Sequence, residues 1–205
     1  MQKKNIILFG GSFDPIHMGH IVVAVFAIKF LNGRKCIFVP AKRSPLKINS
    51  PIASDEQRIE MIKLAIAGNK NFEVSEYEIE RNDPSYTIDT VKHFKNIFGE
   101  DYELCWLVGA DCLREFPYWY KIKDLIDICT ICIMYRAGCE KPDISKYVDI
   151  LGGERIKKLQ NAVIPTPLVD ISSTEIRKRL KEGTDTTELL PQEVARYIQK
   201  NQLYK

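Results

Sequence analysis

The sequence lacks any apolar run long enough to cross a membrane. Its longest, opening at Ile21, is cut by Lys29, far short of the roughly 20 residues a span needs. It lacks a strong excess of either charge. Its 30 basic and 27 acidic residues leave a formal net charge of +3, too mild to argue for nucleic acid and equally suited to a small polyanion. It lacks a secretory apolar region with a cleavage site, because the N-terminus runs straight into a strand-like segment, and the expectation is a cytoplasmic chain. Only Cys129-Thr130-Ile131-Cys132 among its six cysteines has a close spacing, and it lies in a strand-like run where positions three apart face opposite ways. That excludes an obvious zinc site and predicts reduced, mostly buried thiols. With only three histidines, no Ser/His/Asp or Cys/His nucleophile arrangement can be read.

What is present is organised around Gly10-Gly11-Ser12-Phe13-Asp14-Pro15-Ile16-His17-Met18-Gly19-His20. An apolar run, Asn5 to Phe9, precedes it and reads as a buried parallel strand. Ile21 to Ile28 follows and reads as a buried helix. Adjacent glycines let backbone approach a ligand where a β-carbon would block it. A helix start adds unsatisfied N–H groups and the positive end of the helix dipole, which suit phosphate. Two of the three histidines, His17 and His20, lie three apart at this helix start, so they share a face and can donate to phosphate oxygens.

The remaining chain alternates strand and helix patterns over a length compatible with one domain, residues 1–205. Lys35 to Pro40 is the second strand. Residues 41–51 are basic, carry two prolines and read as a loop, either a solvated connector or a flap bringing Lys42, Arg43 or Lys47 onto phosphates. Ser54 and Gln57 have capping-box spacing, opening a helix with an apolar stripe from Ile59 to Ile66. Phe72 to Val74 is a short strand, and Glu76 to Glu80 alternates. Arg81 to Thr87 is a turn into a helix over 87–98, with Thr87 a good cap type. Leu104 to Val108 is a buried strand that ends at Gly109-Ala110-Asp111. Asp111 reads as a helix cap or as a carboxylate for ribose hydroxyls, since ligands of open α/β sheets bind at strand C-terminal ends. Phe116-Pro117-Tyr118-Trp119-Tyr120 lacks core periodicity and reads as rings for stacking. A helix over 122–128, a strand over 129–135 followed by Arg136, a helix over 154–160 and a strand over 162–164 complete the middle. A second site-like stretch is Ile171-Ser172-Ser173-Thr174-Glu175-Ile176-Arg177. Ser172 and Glu175 predict a capped helix, whose first amides on Ser173 and Thr174 suit an anion. Arg177 shares a face with Ser173, so both can reach one phosphate. Pro191 opens a terminal helix.

The His17-Met18-Gly19-His20 run resembles the H-x-G-H signature of the nucleotidyltransferase superfamily. The longer stretch from Gly10 to His20 is similar to that of bacterial nicotinate-mononucleotide adenylyltransferases. Ser85-Tyr86-Thr87, Gly109-x-Asp111, Phe116-x-x-Trp119 and Ile171 to Arg177 match the same family. One departure is Leu46, where the family often has histidine before the loop lysine, here Lys47. The resemblance covers nearly the whole chain. It implies a doubly wound, mostly parallel Rossmann-like α/β domain with C-terminal helices (about 171–203) packed on it. It implies adenylyl transfer from ATP to nicotinate mononucleotide, with magnesium held by ATP phosphates and water. By the same resemblance His17, His20, Lys47 and Arg177 act on the phosphates, and Gly10, Gly11, Ser12, Phe13, Ser173 and Thr174 bind ATP. Thr87, Gly109, Asp111, Trp119, Tyr120 and Arg136 bind the mononucleotide, with Trp119 stacked on the pyridine. No nucleic-acid or membrane partner is expected, and a homo-oligomer is compatible. The rival readings are the same chemistry on the amidated mononucleotide or another phosphorylated acceptor, and a non-catalytic nucleotide- or nucleic-acid-binding regulator using its basic segments.

Overall fold

A computed structural model describes residues 4–43, 50–136, 139–167 and 169–205. The chain order is β1 Lys4–Gly11, α1 Met18–Phe30, β2 Gly33–Pro40, α2 Asp55–Ile66, β3 Phe72–Val74, α3 Tyr77–Glu80, α4 Thr87–Phe98, β4 Tyr102–Gly109, α5 Ile122–Ile128, β5 Thr130–Arg136, α6 Val148–Leu151, α7 Gly153–Asn161, β6 Val163–Thr166, α8 Ser173–Glu182 and α9 Gln192–Lys200. Ala110–Tyr118 forms 3-10 turns between β4 and α5.

Six strands form one parallel sheet in the order β3-β2-β1-β4-β5-β6. Alternation along β1 explains its two covers. Ile6 and Leu8 enter a core with α4, α5 and α7, while Ile7 and Phe9 enter a core with α2, α8 and α9. A strand buried on both faces needs apolar residues throughout, which is what the continuous run supplies. From β1 the chain winds outward through β2 and β3, then returns to β1's other side as β4. Connections therefore diverge above the C-terminal ends of β1 and β4, leaving a crevice there.

Local rules account for the starts of α2 and α8. In α2 the Ser54 hydroxyl accepts from the Gln57 N–H while the Gln57 side chain accepts from the Ser54 N–H, the reciprocal box the spacing predicts. In α8 the Ser172 hydroxyl accepts from the Glu175 N–H at 3.2 Å. Cys129 and Cys132 lie in opposite cores, and four of the six free cysteines are buried. Some expectations fail. The alternating segment at 76–80 is the short helix α3, with Glu78 turned inward. Tyr86, not Thr87, caps α4. In α1 only Gly19, Ala24 and Ala27 are buried, so its apolar run covers the sheet without being enclosed. Ile176, Val194, Ile198 and Tyr204 pack the C-terminal segment into the second core.

Candidate active site

The loop from β1 to α1 departs from the glycine argument. A β-carbon on Gly10 would lie 2.3 Å from the Trp106 indole, and one on Gly11 would lie 3.0 Å from the Phe13 ring. Both glycines make room for aromatic side chains, so their first task is packing. Phe13 takes the left-handed conformation with φ +48 and is buried, edge-on to Phe9, Phe38 and His20. Two buried charges fix the loop, and neither was anticipated. Arg58 on α2 is fully enclosed. It donates to the Ser12 carbonyl at 2.7 Å and to Asp55 at 2.6 Å. The Asp14 carboxylate accepts from the Ile52 and Ala53 N–H groups and from the Tyr204 hydroxyl at 2.7 Å. No periodicity marks these positions, since a charge in sequence reads as a solvated one.

His17 caps α1 and His20 occupies its third position. The His17 N–H donates to His20 Nδ1 at 3.2 Å, which leaves the proton of a neutral His20 on Nε2. The reverse half is loose, because the His20 N–H also reaches the His17 carbonyl at 2.9 Å. The rings stack with centroids 3.7 Å apart. Burial lowers His17 to about 4, so it is uncharged near neutrality. It therefore acts as a hydrogen-bonding group and not as a cation.

The two helix starts, of α1 and α8, meet directly. Arg177 on α8 donates through Nη1 to the Asp14 carbonyl at 2.8 Å, and the Ser173 hydroxyl donates to the Pro15 carbonyl at 3.0 Å. The Met18 N–H of α1 donates to the Leu189 carbonyl. The start of α8 is thus docked on the loop that carries the histidines. The expectation that the Ser173 hydroxyl and the Arg177 guanidinium can both reach one phosphate is narrowed by this. Part of each is used in joining the walls, while among the described residues Arg177 Nη2 reaches the Thr174 hydroxyl, at 3.4 Å.

Beside this junction, at the β1/β4 crevice, lies a cavity of about 220 Å³. Gly10, Gly11 and Ser12 form one wall. Thr87, Gly109, Trp119 and Tyr120 form the other, with Ser85, Tyr86 and Trp106 between them. Tyr86 and Tyr120 meet at 4.6 Å. Trp119 rests on Phe116, and its indole N–H is buried with no partner among the described residues. The aromatic stretch is therefore divided: Phe116 is core, Tyr118 is 76% exposed, and Trp119 lies at the boundary. At the start of α4 the Tyr86 side chain makes no cap bond, and Thr87, whose amide is among the first-turn N–H groups a helix leaves unpaired, lines the cavity. Glu78 also lines the cavity, and burial pushes its carboxyl upward.

Not every expected residue joins this wall. The Asp111 carboxylate folds back over Gly109, since a β-carbon there would lie 2.2 Å from its Oδ1, and the residue is exposed outside the cavity. Arg136 ends β5 with its backbone paired to Thr166, and its side chain lies outside what is described. Lys47 lies outside the described residues.

Comparison with known proteins identifies the family. Residues 8–179 match the cytidylyltransferase-like family. A probable nicotinate-nucleotide adenylyltransferase of Methylacidiphilum infernorum is 39% identical over 97% of this chain and 91% of its own. One of a Thermoanaerobacter species is 40% identical over the whole of this chain and 96% of its own. The nicotinic acid mononucleotide adenylyltransferase of Plasmodium falciparum, solved in complex with NaAD, shares the fold with a TM-score of 0.72 at 21% identity, covering 98% of this chain and 97% of its own. A nicotinate-nucleotide adenylyltransferase structure from Vibrio parahaemolyticus, at 19% identity, gives a TM-score of 0.66 over 98% and 95%. By these relatives the chain belongs to the nicotinate-nucleotide adenylyltransferases.

Proposed function

We propose that the protein transfers the adenylyl group of ATP to nicotinate mononucleotide, forming nicotinate adenine dinucleotide and releasing pyrophosphate. The observation that carries this reading is the docking of α8 on the Asp14–Pro15 loop. It sets two helix N-termini and both histidines at one edge, next to the cavity walled by Gly10, Thr87 and Trp119.

The attacking group is a phosphate monoester with a second pKa near 6. It is already an anion at neutral pH, so no general base is needed. The difficulty lies in bringing two polyanions into line and stabilising charge on the α-phosphate and on the departing pyrophosphate. His17 and His20 donate to the reacting phosphate from Nε2. The Ser173 and Thr174 amides and the remaining Arg177 donor face the triphosphate from the other side. Gly10 to Ser12 lie along the nucleotide. Trp119 stacks on the pyridine, and the amides at the start of α4 receive its carboxylate. ATP enters as its magnesium complex. Magnesium favours phosphate oxygens and water, which suits a metal carried by the substrate.

The test is pyrophosphate release with ATP and either the acid or the amide mononucleotide. The reading expects kcat/KM at least tenfold higher with the acid. Equal turnover of both would reassign the acceptor, and heparin retention without turnover would favour a nucleic-acid-binding role.

A further inference from the structure

Glu78 has no part in the chemistry just described, yet it is 4% exposed and lines the cavity. Its carboxylate accepts from the Thr90 hydroxyl at 2.6 Å, and the nearby Ser85 hydroxyl favours its charged form. Ser85 is a junction. Its oxygen accepts the Lys42 N–H at 3.2 Å, and its own N–H donates to the Arg43 carbonyl at 3.0 Å. A serine hydroxyl has one proton to give. With Lys42 donating to that oxygen, the proton is left available to the Glu78 carboxyl. Lys42 Nζ also donates to the Arg81 carbonyl at 2.8 Å. The segment leaving β2, the turn before α4 and the helix α4 itself are therefore tied at one carboxylate.

Burying a charge costs stability unless its hydrogen bonds return it, and an apolar replacement is often no worse. Among the described residues none forms an ion pair with Glu78. What the carboxylate supplies is an acceptor for two hydroxyls approaching from different elements. A glutamine offers one acceptor and points N–H groups at the other hydroxyl.

We infer that Glu78 is a positioning residue for the acceptor: by holding the Ser85 and Thr90 hydroxyls together, it sets the Ser85–Thr87 turn at the spacing from the Gly10–Ser12 wall that the pyridine ring requires. This rests on the cavity being the mononucleotide site. The full-length Glu78→Gln variant raises KM for nicotinate mononucleotide about tenfold, while kcat and KM for ATP change less than threefold. Ser85→Ala raises the same KM. The double variant is no worse than the worse single one, because both changes break one linkage. Should Glu78→Gln fail to fold, Thr90→Val, which removes one of the two donors, takes its place in the cycle. An unchanged mononucleotide KM overturns the inference. So does a joint change of kcat and both KM values, or additivity of the two substitutions. If the wild type shows no turnover of the mononucleotide at all, the functional reading falls and this inference falls with it.

Discussion

His17 carries a pH signature that separates it from an ordinary surface histidine. Its pKa is about 4 when folded, against 6.5 for the free side chain, because burial disfavours the charged ring. The unfolded chain therefore binds a proton between these values that the folded chain does not. The stability associated with His17 is complete above pH 6.5 and is lost as pH falls toward about 4, by roughly 3 kcal/mol in all. Denaturant titrations of wild type and His17→Gln at pH 4.5 and 7 should show that slope in the wild type only. At the cavity, Trp119→Ala removes a stacking surface worth about 1–3 kcal/mol. Steady-state kinetics should show a raised KM for the mononucleotide with KM for ATP nearly unchanged. Equal losses on both substrates would make Trp119 a structural residue. How far single residues were legible follows from what they do. His17 and His20 stand out because histidine is scarce here. Asp14, Arg58 and Glu78 do not, because nothing in a sequence tells a buried charge from a solvated one until its partners are brought in from distant segments.

At the scale of elements, the site depends on how α8 and the C-terminal residues hold the loop after β1. Asp14 receives two backbone N–H groups and the Tyr204 hydroxyl. Tyr204 is raised above the usual phenol range by burial and by that carboxylate. Asp14→Ala would strand the buried Ala53 N–H and Tyr204 hydroxyl along with the part-buried Ile52 N–H and should cost about 3 kcal/mol or more, since each unsatisfied group costs roughly 1–3 kcal/mol. Tyr204→Phe removes one hydrogen bond and should cost about 1 kcal/mol. Urea unfolding measures both, and equal small losses would mean that Asp14 is not the anchor. Element boundaries followed local chemistry where that chemistry is strong, as in the Ser54–Gln57 box and the Ser172 cap. They failed where tertiary burial decides. Tyr77 to Glu80 alternates like a strand, yet it curls into α3 and turns Glu78 inward toward Thr90. Phe116 looked like part of an exposed aromatic patch because its core partners come from α4 and β4.

At the scale of the molecule, alternating strand and helix patterns implied a parallel sheet, and that much was readable. The strand order was not, because pairing of β1 with β4 joins segments about 100 residues apart. That order opens the crevice between β1 and β4, and it gives the loop after β1 and the residues after β4 one shared cavity. The central claim is that His17 and His20 face the start of α8 across the ATP phosphates. Its most direct measurement is pyrophosphate release, with dinucleotide quantified alongside, for wild type and His20→Ala under identical conditions. The account predicts one pyrophosphate per dinucleotide for the wild type. It predicts a loss of about 100-fold or more in kcat for the variant, the scale of one positioned donor. A loss of less than tenfold in a folded variant would contradict it.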